Sequence, residues 1–209
     1  MNKLFYIFGD SVCFGQYIPS HLTWVNMLSK LVFREEFNKL ILQNPSRNGN
    51  TTIQALERLD YDILSNKPKF CLVQFGLNDC NIWQQHQGNR RVSPKDFENN
   101  LIEIINKIYD AGAQFIFLNT NHPTLKKFSF ETKITYEESN KEYNEIIRNV
   151  SKKFSNSVIQ LTDIEKAMNA EFSASSIQKT LLQDGIHLSA LGHEVYFKEI
   201  KKSIQRIKG

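Results

Sequence analysis

Short apolar runs alternate along the chain with longer stretches whose apolar residues recur at helical spacing. The runs predicted as strands cover residues 3–8, 38–43, 70–75, 114–119 and 157–161. The stretches predicted as helices cover residues 21–31, 51–64, 94–111, 134–154 and 190–208. Such an alternation is typical of repeated βα units around a parallel sheet. The pattern therefore predicts an α/β fold with a five-stranded, mostly parallel sheet.

Capping residues support the boundaries of two of these helices. Ser93 offers a hydroxyl at the N-cap, Pro94 suits the first helical turn, and the carboxylate of Asp96 is favourable in that turn. Gly112 suits the end of the same helix. Ser189 is placed to cap the last helix in the same way as Ser93.

Three long segments follow the third, fourth and fifth predicted strands, at residues 76–93, 121–133 and 173–187. Loops of this length within a compact domain are usually functional. In a parallel sheet they share one edge with the polar turn at residues 9–12, which follows the first strand. We therefore expect a crevice at that edge, lined by residues that are far apart in the sequence.

Composition and charge indicate the number of domains and limit the classes of partner. The chain has 209 residues, of which 41% are hydrophobic, which predicts one domain over residues 1–209. The formal net charge of +4 arises from 26 basic and 22 acidic residues, and much of the excess lies in the last predicted helix. Because this charge is spread over a solvated helix face, we expect neither a nucleic-acid nor a membrane partner.

The cysteines and the first residues bear on the compartment. Cys13, Cys71 and Cys80 are an odd number without C-x-x-C spacing, which indicates neither a disulfide framework nor a zinc knuckle. The apolar run before the turn at residues 9–12 is shorter than the core of a signal peptide, which spans roughly 7–15 residues. We therefore expect a cytoplasmic protein, and no metal-binding cluster or cofactor motif is recognised.

Ser11, at the end of the first strand, is a candidate nucleophile, but a serine hydroxyl needs a base to take its proton. His187 is the best candidate base because Asp184 precedes it by three positions. At that spacing the carboxylate can accept one imidazole N–H and leave the other ring nitrogen for Ser11. The alternative is that Asp184 and His187 form a capping turn before the last helix.

Acyl transfer also requires hydrogen-bond donors for the oxyanion that develops. Gly49 follows the second strand and opens a helix, so its backbone N–H can approach a ligand closely. Asn78 follows the third strand and offers a side-chain amide. Taken singly, Gly49 is equally suited to be a turn glycine and Asn78 to be a turn or helix-cap residue.

Together these residues form four ordered blocks, at residues 9–12, 48–52, 76–79 and 184–189. In this order and composition the blocks resemble the SGNH (GDSL-type) hydrolase superfamily, and the resemblance spans nearly the whole chain. It implies a three-layer α/β/α sandwich with a flavodoxin-like sheet and a serine esterase activity without a cofactor or metal. It also implies an acyl-serine intermediate.

The resemblance assigns a role to each residue. Ser11 would be the nucleophile and, through its backbone N–H, the first oxyanion donor. Gly49 N–H and the Asn78 side chain would complete the oxyanion hole. His187 would act as base and then as acid, and Asp184 would orient it.

The substrate must be inferred from the loops. The segment at residues 81–91 carries Trp83, His86, Arg90 and Arg91 and almost no aliphatic side chain, which favours a polar, hydroxylated ligand over a fatty acyl chain. The alternative is a solvated surface loop.

Further candidate substrate contacts lie close to the catalytic blocks in sequence. The predicted substrate-binding residues are Asp10, Arg47, Trp83 and His122. A guanidinium such as that of Arg47 suits a carboxylate or phosphate on the substrate.

We therefore predict a serine esterase that removes a short acyl group, acetyl in the first place, from a carbohydrate-like alcohol. The alternatives are a lysophospholipase, thioesterase or arylesterase of broad specificity and a sugar O-acyltransferase with the same triad. A binding module without catalytic activity is a third class. The predicted partner is a small-molecule ester.

Overall fold

A computed structural model describes residues 3–84, 88–128, 131–154, 158–173 and 176–207. Five strands form one sheet in the order β2-β1-β3-β4-β5, and every neighbouring pair is parallel. The strands are β1 (Leu4–Gly9), β2 (Ile41–Gln43), β3 (Phe70–Gln74), β4 (Phe115–Asn119) and β5 (Ile159–Thr162). The strand order reverses between β1 and β3, and open α/β sheets bind ligands outside the carboxyl ends of strands at such a point.

Seven α-helices cover the two faces of this sheet within the described residues. They are α1 (Ser11–Phe14), α2 (Trp24–Val32), α3 (Thr52–Asp62), α4 (Pro94–Asp110), α5 (Tyr136–Lys153), α6 (Ile164–Glu171) and α7 (Ala190–Ser203). Helices α3, α4 and α5 contact one another in sequence order, and α2 and α6 both contact α7. This arrangement confirms the predicted three-layer α/β/α sandwich.

The central strands are buried on both faces. All five residues of β3 are buried, as are the last five of β1, whereas Ile41 and Gln43 on the edge strand β2 are exposed. A continuous apolar run rather than an alternating one is the pattern expected of a parallel strand covered by helices on both sides. Within the described residues, the buried apolar side chains form one continuous core. The prediction of a single domain over residues 1–209 stays a prediction.

The predicted helix caps are present. Ser93 Oγ accepts a hydrogen bond from the Asp96 backbone N–H at 3.1 Å, with Pro94 in the first turn. Ser189 Oγ accepts one from the Gly192 N–H at 3.2 Å. Gly112 takes a φ of +96° just after α4, a conformation that glycine adopts at low cost.

Several predicted boundaries were wrong. The strand predicted at residues 38–43 begins only at Ile41, because Asn38 and Lys39 take positive φ angles of 56° and 54°. The helix predicted at residues 21–31 begins at Trp24, where the side chain of Thr23 caps it. Helices α1 and α6 were not predicted.

The last two elements also differ in extent. The last helix ends at Ser203 and continues as a 3₁₀ turn to Ile207, and residues 208 and 209 lie outside the described residues. The last strand begins at Ile159; residue 157, where it was predicted to begin, lies outside them too. Among the helices described here, none is long and apolar enough to cross a membrane.

Candidate active site

Ser11, His187 and Asp184 form a chain of two hydrogen-bond contacts at the carboxyl edge of the sheet. Ser11 Oγ lies 3.0 Å from His187 Nε2, and His187 Nδ1 lies 2.6 Å from Asp184 Oδ2. Ser11 is 8% exposed and the His187 side chain is 15% exposed. A serine whose hydroxyl contacts one ring nitrogen, while a carboxylate holds the other, is arranged for nucleophilic catalysis.

The turn that carries Ser11 is held in place by hydrogen bonds with buried side chains. Asp10 is the N-cap of α1, and its Oδ1 accepts a hydrogen bond from the Val12 N–H at 3.0 Å. Gly15 ends α1 with a φ of +81°. The indole of Trp24, which is fully buried, donates to the Val12 carbonyl at 2.9 Å. Ser11 therefore begins a one-turn helix that is capped at both ends and tied to α2.

The turn that carries His187 is organised by Asp184. Its Oδ1 accepts the backbone N–H groups of Ile186 and His187, each at 3.0 Å, while Oδ2 holds the imidazole. Partial burial alone would raise the pKa of Asp184, but the hydrogen bonds from the His187 ring and the two amides outweigh it and lower the pKa. Asp184 thus stays ionised, as a carboxylate that stabilises an imidazolium must. Gly185 takes a φ of +70° and packs directly against the backbone of the neighbouring loop.

His122 supports the same turn from inside the protein. It is fully buried, and burial lowers its pKa to about 4, so the ring is neutral. Its Nε2 lies 2.7 Å from the Ile186 carbonyl oxygen, which requires the proton to be on Nε2. On the exposed side, the Tyr17 ring meets the His187 ring edge to face, with 5.1 Å between centroids. His122 therefore lies beneath the turn of His187 and presents no surface to a substrate.

Gly49 and Asn78, the predicted oxyanion donors, follow β2 and β3 at the same edge. Gly49 has a φ of +75° and is exposed, and a Cβ added there would meet nothing within 4 Å. Arg91 Nη1 donates to the Gly49 carbonyl oxygen at 3.0 Å, which fixes this turn. Asn78 is half-buried, and its Nδ2 donates to Asp10 Oδ2 at 3.3 Å. Since an amide nitrogen carries two hydrogens, Nδ2 has a second one to offer.

Two buried carboxyl groups join the loops beneath these donors. Asp79 Oδ1 accepts from both the backbone N–H and the hydroxyl of Thr52, at 2.8 and 2.6 Å. Burial raises the pKa of Asp79 to about 6, although the bonds from Thr52 oppose the shift. Burial also raises the pKa of Asp10 to about 7, against the bonds from Val12 and Asn78. The loop after β3 is thereby fixed both to the start of α3 and to the turn of Ser11.

Arg58 completes this framework and was not identified from the sequence. It is 8% exposed and donates to the Gly9 carbonyl at 3.3 Å, to Asn50 Oδ1 at 2.7 Å and to Asp62 Oδ2 at 2.7 Å. The guanidinium thus ties the residue before the Ser11 turn to the loop that carries Gly49. Its only sequence signal is the spacing of four residues to Asp62, which is common on helices.

The remaining predicted substrate contacts differ in their placement. Asp10 is fully buried and lies beneath the site rather than on its surface. Arg47 is exposed, and its Nη2 lies 3.3 Å from Asp62 Oδ2, so it pairs within the protein. Trp83 is 37% exposed, and the Arg91 guanidinium lies 4.2 Å from its ring centroid. Of the four predicted contacts, Trp83 is the one that combines an exposed ring with a connection to the Gly49 turn.

The two neighbouring arginines of the segment at residues 81–91 have different partners. Arg90 donates to Ser139 Oγ at 3.0 Å and forms an ion pair with Glu142, which anchors the segment to α5. Ile82 and Arg90 form an isolated antiparallel bridge across the segment. His86 lies outside the described residues.

Solved structures with the same fold include esterases. The lipase/acylhydrolase from Enterococcus faecalis aligns with a TM-score of 0.79 at 22% identity, over 99% of this chain and 97% of that one. The acetyl xylan esterase AlAXEase aligns with a TM-score of 0.77 at 18% identity, over 96% of this chain and 99% of that one. At these identities the likeness shows the fold.

Sequence comparison shows the family. The uncharacterized lipoprotein YqeF of Bacillus subtilis (strain 168) is 27% identical over an alignment that covers 93% of this chain and 86% of that protein. An arylesterase of Vibrio mimicus is 28% identical over 117 residues, or 56% of this chain and 54% of that protein. The model of the GDSL-like Lipase/Acylhydrolase family matches residues 7–195. The chain therefore belongs to the GDSL-like lipase/acylhydrolase family, and it is a carboxylic ester hydrolase.

Proposed function

We propose that this protein is a serine esterase that removes a short acyl group, acetyl in the first place, from a carbohydrate-like alcohol. The observation that carries the catalytic part is the chain from Ser11 Oγ to His187 Nε2 at 3.0 Å and from His187 Nδ1 to Asp184 at 2.6 Å. The coarser activity, ester hydrolysis, follows from the family. The roles of the residues and the substrate class belong to the proposal.

The reaction has two steps. Ser11 Oγ attacks the ester carbonyl carbon while His187 Nε2 takes the hydroxyl proton. The tetrahedral intermediate collapses, the bond from the acyl carbon to the alcohol oxygen breaks, and His187 gives its proton to that oxygen. Water then attacks the acyl-serine with His187 again as base, which releases the acid and restores Ser11.

The oxyanion of both tetrahedral intermediates lies between the Ser11 turn and the loops after β2 and β3. Its donors in this proposal are the backbone N–H groups of Ser11 and Gly49 and the Nδ2 of Asn78. Donors fixed before the reaction stabilise charge without reorganisation, and the buried bonds of Asp10 and Asp79 hold this arrangement.

Two features favour a short acyl group and a polar alcohol. Trp24, whose indole contacts the Ser11 turn, is fully buried and stacked on Tyr196, so it belongs to the core. Phe14 and Tyr17, the aromatic residues next to the Ser11 turn, are 54% and 70% exposed rather than enclosed. Trp83 adds an exposed ring of the kind on which sugars stack. AlAXEase and Axe2, two relatives in fold, are named as acetylxylan esterases.

Other relatives motivate the alternatives. Esterase TesA of Pseudomonas aeruginosa is 26% identical over 56% of this chain, and a thioesterase/protease/lysophospholipase of Escherichia coli matches to the same extent. An O-acyltransferase would use the same acyl-serine with a sugar hydroxyl in place of water.

A panel of esters separates these possibilities. We expect kcat/KM for p-nitrophenyl esters to be highest at the acetyl ester and to fall steadily towards the octanoyl ester, and we expect acetylated monosaccharides to be deacetylated. Activity that rises from acetyl to octanoyl would contradict the short acyl group and favour a lysophospholipase or thioesterase. Acylated alcohol as the main product, with a sugar acceptor present, would favour the transferase. Ser11→Ala protein is the control for background hydrolysis.

The cytoplasmic location is also part of the proposal. The three cysteines are free and buried, which suits a reducing compartment. The relative YqeF is named as a lipoprotein. Fractionation of the native host with an antibody against the chain would test the location, and recovery in the membrane fraction would contradict it.

A further inference from the structure

Two cations near the active site have no acidic partner within ion-pair distance among the described side chains. Arg47, Arg58 and Arg90 each lie within 4.0 Å of a carboxylate oxygen. Arg91 and Lys126 have no such contact with any carboxylate that the structure describes, although both are half-buried. Instead, each lies over an aromatic ring, Arg91 over Trp83 and Lys126 over Tyr136. Partial burial of a cation without a counter-ion costs free energy unless a ligand supplies the opposite charge.

Lys126 lies between the two loops that carry catalytic groups. Its backbone runs along the His187 turn, because the Leu125 N–H donates to the Gly185 carbonyl at 2.8 Å and a Cβ on Gly185 would lie 2.8 Å from Lys126 N. Its amine lies 5.0 Å from the Tyr136 ring centroid. The hydroxyl of Tyr136 in turn donates to the carbonyl of Leu77, the residue before Asn78. The Lys126 backbone thus runs along the turn that carries Asp184, and its amine lies over a ring that is bonded to the loop that carries Asn78.

Arg91 approaches the same site from the Gly49 turn. Its Nη1 donates to the Gly49 carbonyl at 3.0 Å, and its guanidinium is stacked 4.2 Å from the centroid of the exposed Trp83 ring. Stacking holds the guanidinium plane in place. A fixed, planar guanidinium is well suited to bind a carboxylate or phosphate through two parallel hydrogen bonds.

The charges of the two groups act on each other. Burial lowers the pKa of Lys126 and the charge of Arg91 lowers it further, whereas the Cys80 and Asp184 side chains oppose the shift. Burial also lowers the pKa of Arg91, and Asp79 opposes it. Asp184 is already engaged by His187, and Asp79 by Thr52. An anion placed between the two cations would relieve both desolvation and mutual repulsion.

We propose that Lys126 and Arg91 form an anion subsite that binds a carboxylate or phosphate group carried by the ester substrate. The substrate class would then be an acetylated acidic sugar, such as a uronic acid or a sugar phosphate, rather than a neutral one. This inference rests on the proposed esterase function, because it places the subsite beside the same nucleophile. Arg91 serves two purposes in it, since it also fixes the Gly49 turn.

The test compares charged and neutral substrates. We expect kcat/KM for acetylated glucuronate and for an acetylated hexose phosphate to exceed that for acetylated glucose about 100-fold, the combined effect of charged hydrogen bonds from Lys126 and Arg91. The charged substrate with the larger kcat/KM shows whether the subsite prefers a carboxylate or a phosphate. Lys126→Met is expected to lower this charged-to-neutral ratio about tenfold, mainly through KM, and Lys126→Arg to restore most of it. Lys127→Met, at the exposed neighbouring position, is the matched control and should leave the ratio unchanged.

Three results would overturn the subsite. One is equal kcat/KM of the wild-type protein for charged and neutral substrates. Another is a Lys126→Met protein whose two rates fall in proportion, since that indicates a structural role. The third comes from calorimetry with acetylated glucuronate and Ser11→Ala protein, if adding Lys126→Met does not weaken binding. Calorimetry also separates the two proposals: binding that depends on Lys126 without turnover of any ester would retain the subsite and contradict the esterase function.

Discussion

The residues that fix the proposed catalytic groups and the residues proposed to face a substrate form two regions with opposite character. The first, which we call the buried network, lies beneath the site and has almost no exposed surface. It consists of Asp10, Thr52, Arg58, Asp79 and His122. Each member bonds to an atom of a segment that carries Ser11, Gly49, Asn78 or His187.

The second region, which we call the rim, surrounds the opening of the site. It consists of Tyr17, Trp83, Arg91 and Lys126. Its members are exposed or half-buried, and each makes a ring or cation–ring contact: Arg91 with Trp83, Lys126 with Tyr136 and Tyr17 with His187. Two of them are cations without an ion pair in the part of the chain described here.

The difference indicates a division of labour. In the proposed function, the buried network sets the geometry of ester cleavage and the rim selects the ester. Substitutions in the catalytic groups and the network are expected to change kcat or stability for every ester, and substitutions in the rim to change the relative rates of different esters.

The largest expected loss comes from Asp184→Asn. An asparagine can still accept the backbone bonds at Oδ1, but its amide nitrogen faces His187 Nδ1 and favours the wrong tautomer. We expect kcat for p-nitrophenyl acetate to fall about 10³- to 10⁴-fold with little change in unfolding. Asp110→Asn, at the far end of α4 from the site, is the control and should retain full activity. A loss below tenfold would show that Asp184 does not orient the base.

Asn78→Ala is expected to have the next largest effect. Removal of one oxyanion donor should lower kcat about 10²- to 10³-fold and leave KM nearly unchanged, because the donor acts in the transition state. Steady-state kinetics with p-nitrophenyl acetate provides the measurement. Asn106→Ala, on the exposed face of α4, is the matched control. An equal rise in KM instead would place Asn78 in ground-state binding.

The buried network predicts a pH effect on stability through Asp79. Its pKa is raised by burial from 3.8 to about 6, so the folded state holds the proton more tightly than the unfolded chain. The stabilisation that the protonated Asp79 contributes to the folded state is fully present below pH 4 and is lost as the pH rises through 6. The wild-type free energy of unfolding should therefore fall over this range relative to that of Asp79→Asn, by about 3 kcal/mol for a two-unit shift.

Urea unfolding of both proteins between pH 4 and pH 7.5 would measure this difference. Parallel pH profiles would contradict the raised pKa of Asp79.

Arg47→Ala is expected to have the smallest effect. The Arg47 guanidinium is exposed, and its partner Asp62 is already paired more closely with Arg58, so the Arg47 pair contributes little. We expect kcat/KM for charged and neutral acetyl esters to change by less than about twofold. A fall in kcat/KM confined to the charged substrates would show that Arg47 contacts the substrate and belongs to the rim.

The sequence predicted the sheet because buried parallel strands are continuous apolar runs, and β1 and β3 are such runs. It also predicted that Ser11, Asp184 and His187 act together, since each follows a strand or precedes a helix at a recognisable spacing, and the structure places the three side chains in contact. The short helices α1 and α6 were missed because one turn, or two, leaves too little periodicity to detect.

The contacts that hold the turns of Ser11 and His187 could not be predicted from the sequence, for a different reason. The bond from Arg58 to the Gly9 carbonyl joins residues 49 positions apart, and the bond from His122 to the Ile186 carbonyl joins residues 64 apart. Such contacts depend on how the loops pack, and His122 was expected at the substrate instead. Lys126 carries no local signal, because its position is defined only by the Gly185 backbone and the Tyr136 ring.

The central claim is that His187, held by Asp184, activates Ser11 as the nucleophile. Its most direct test is labelling with a fluorophosphonate probe, followed by peptide mass spectrometry, for the wild-type, Ser11→Ala and His187→Ala proteins. We predict one phosphonyl group per chain on Ser11, no adduct in Ser11→Ala and a much slower reaction in His187→Ala. An adduct on another residue, or wild-type labelling rates in the absence of His187, would contradict the account.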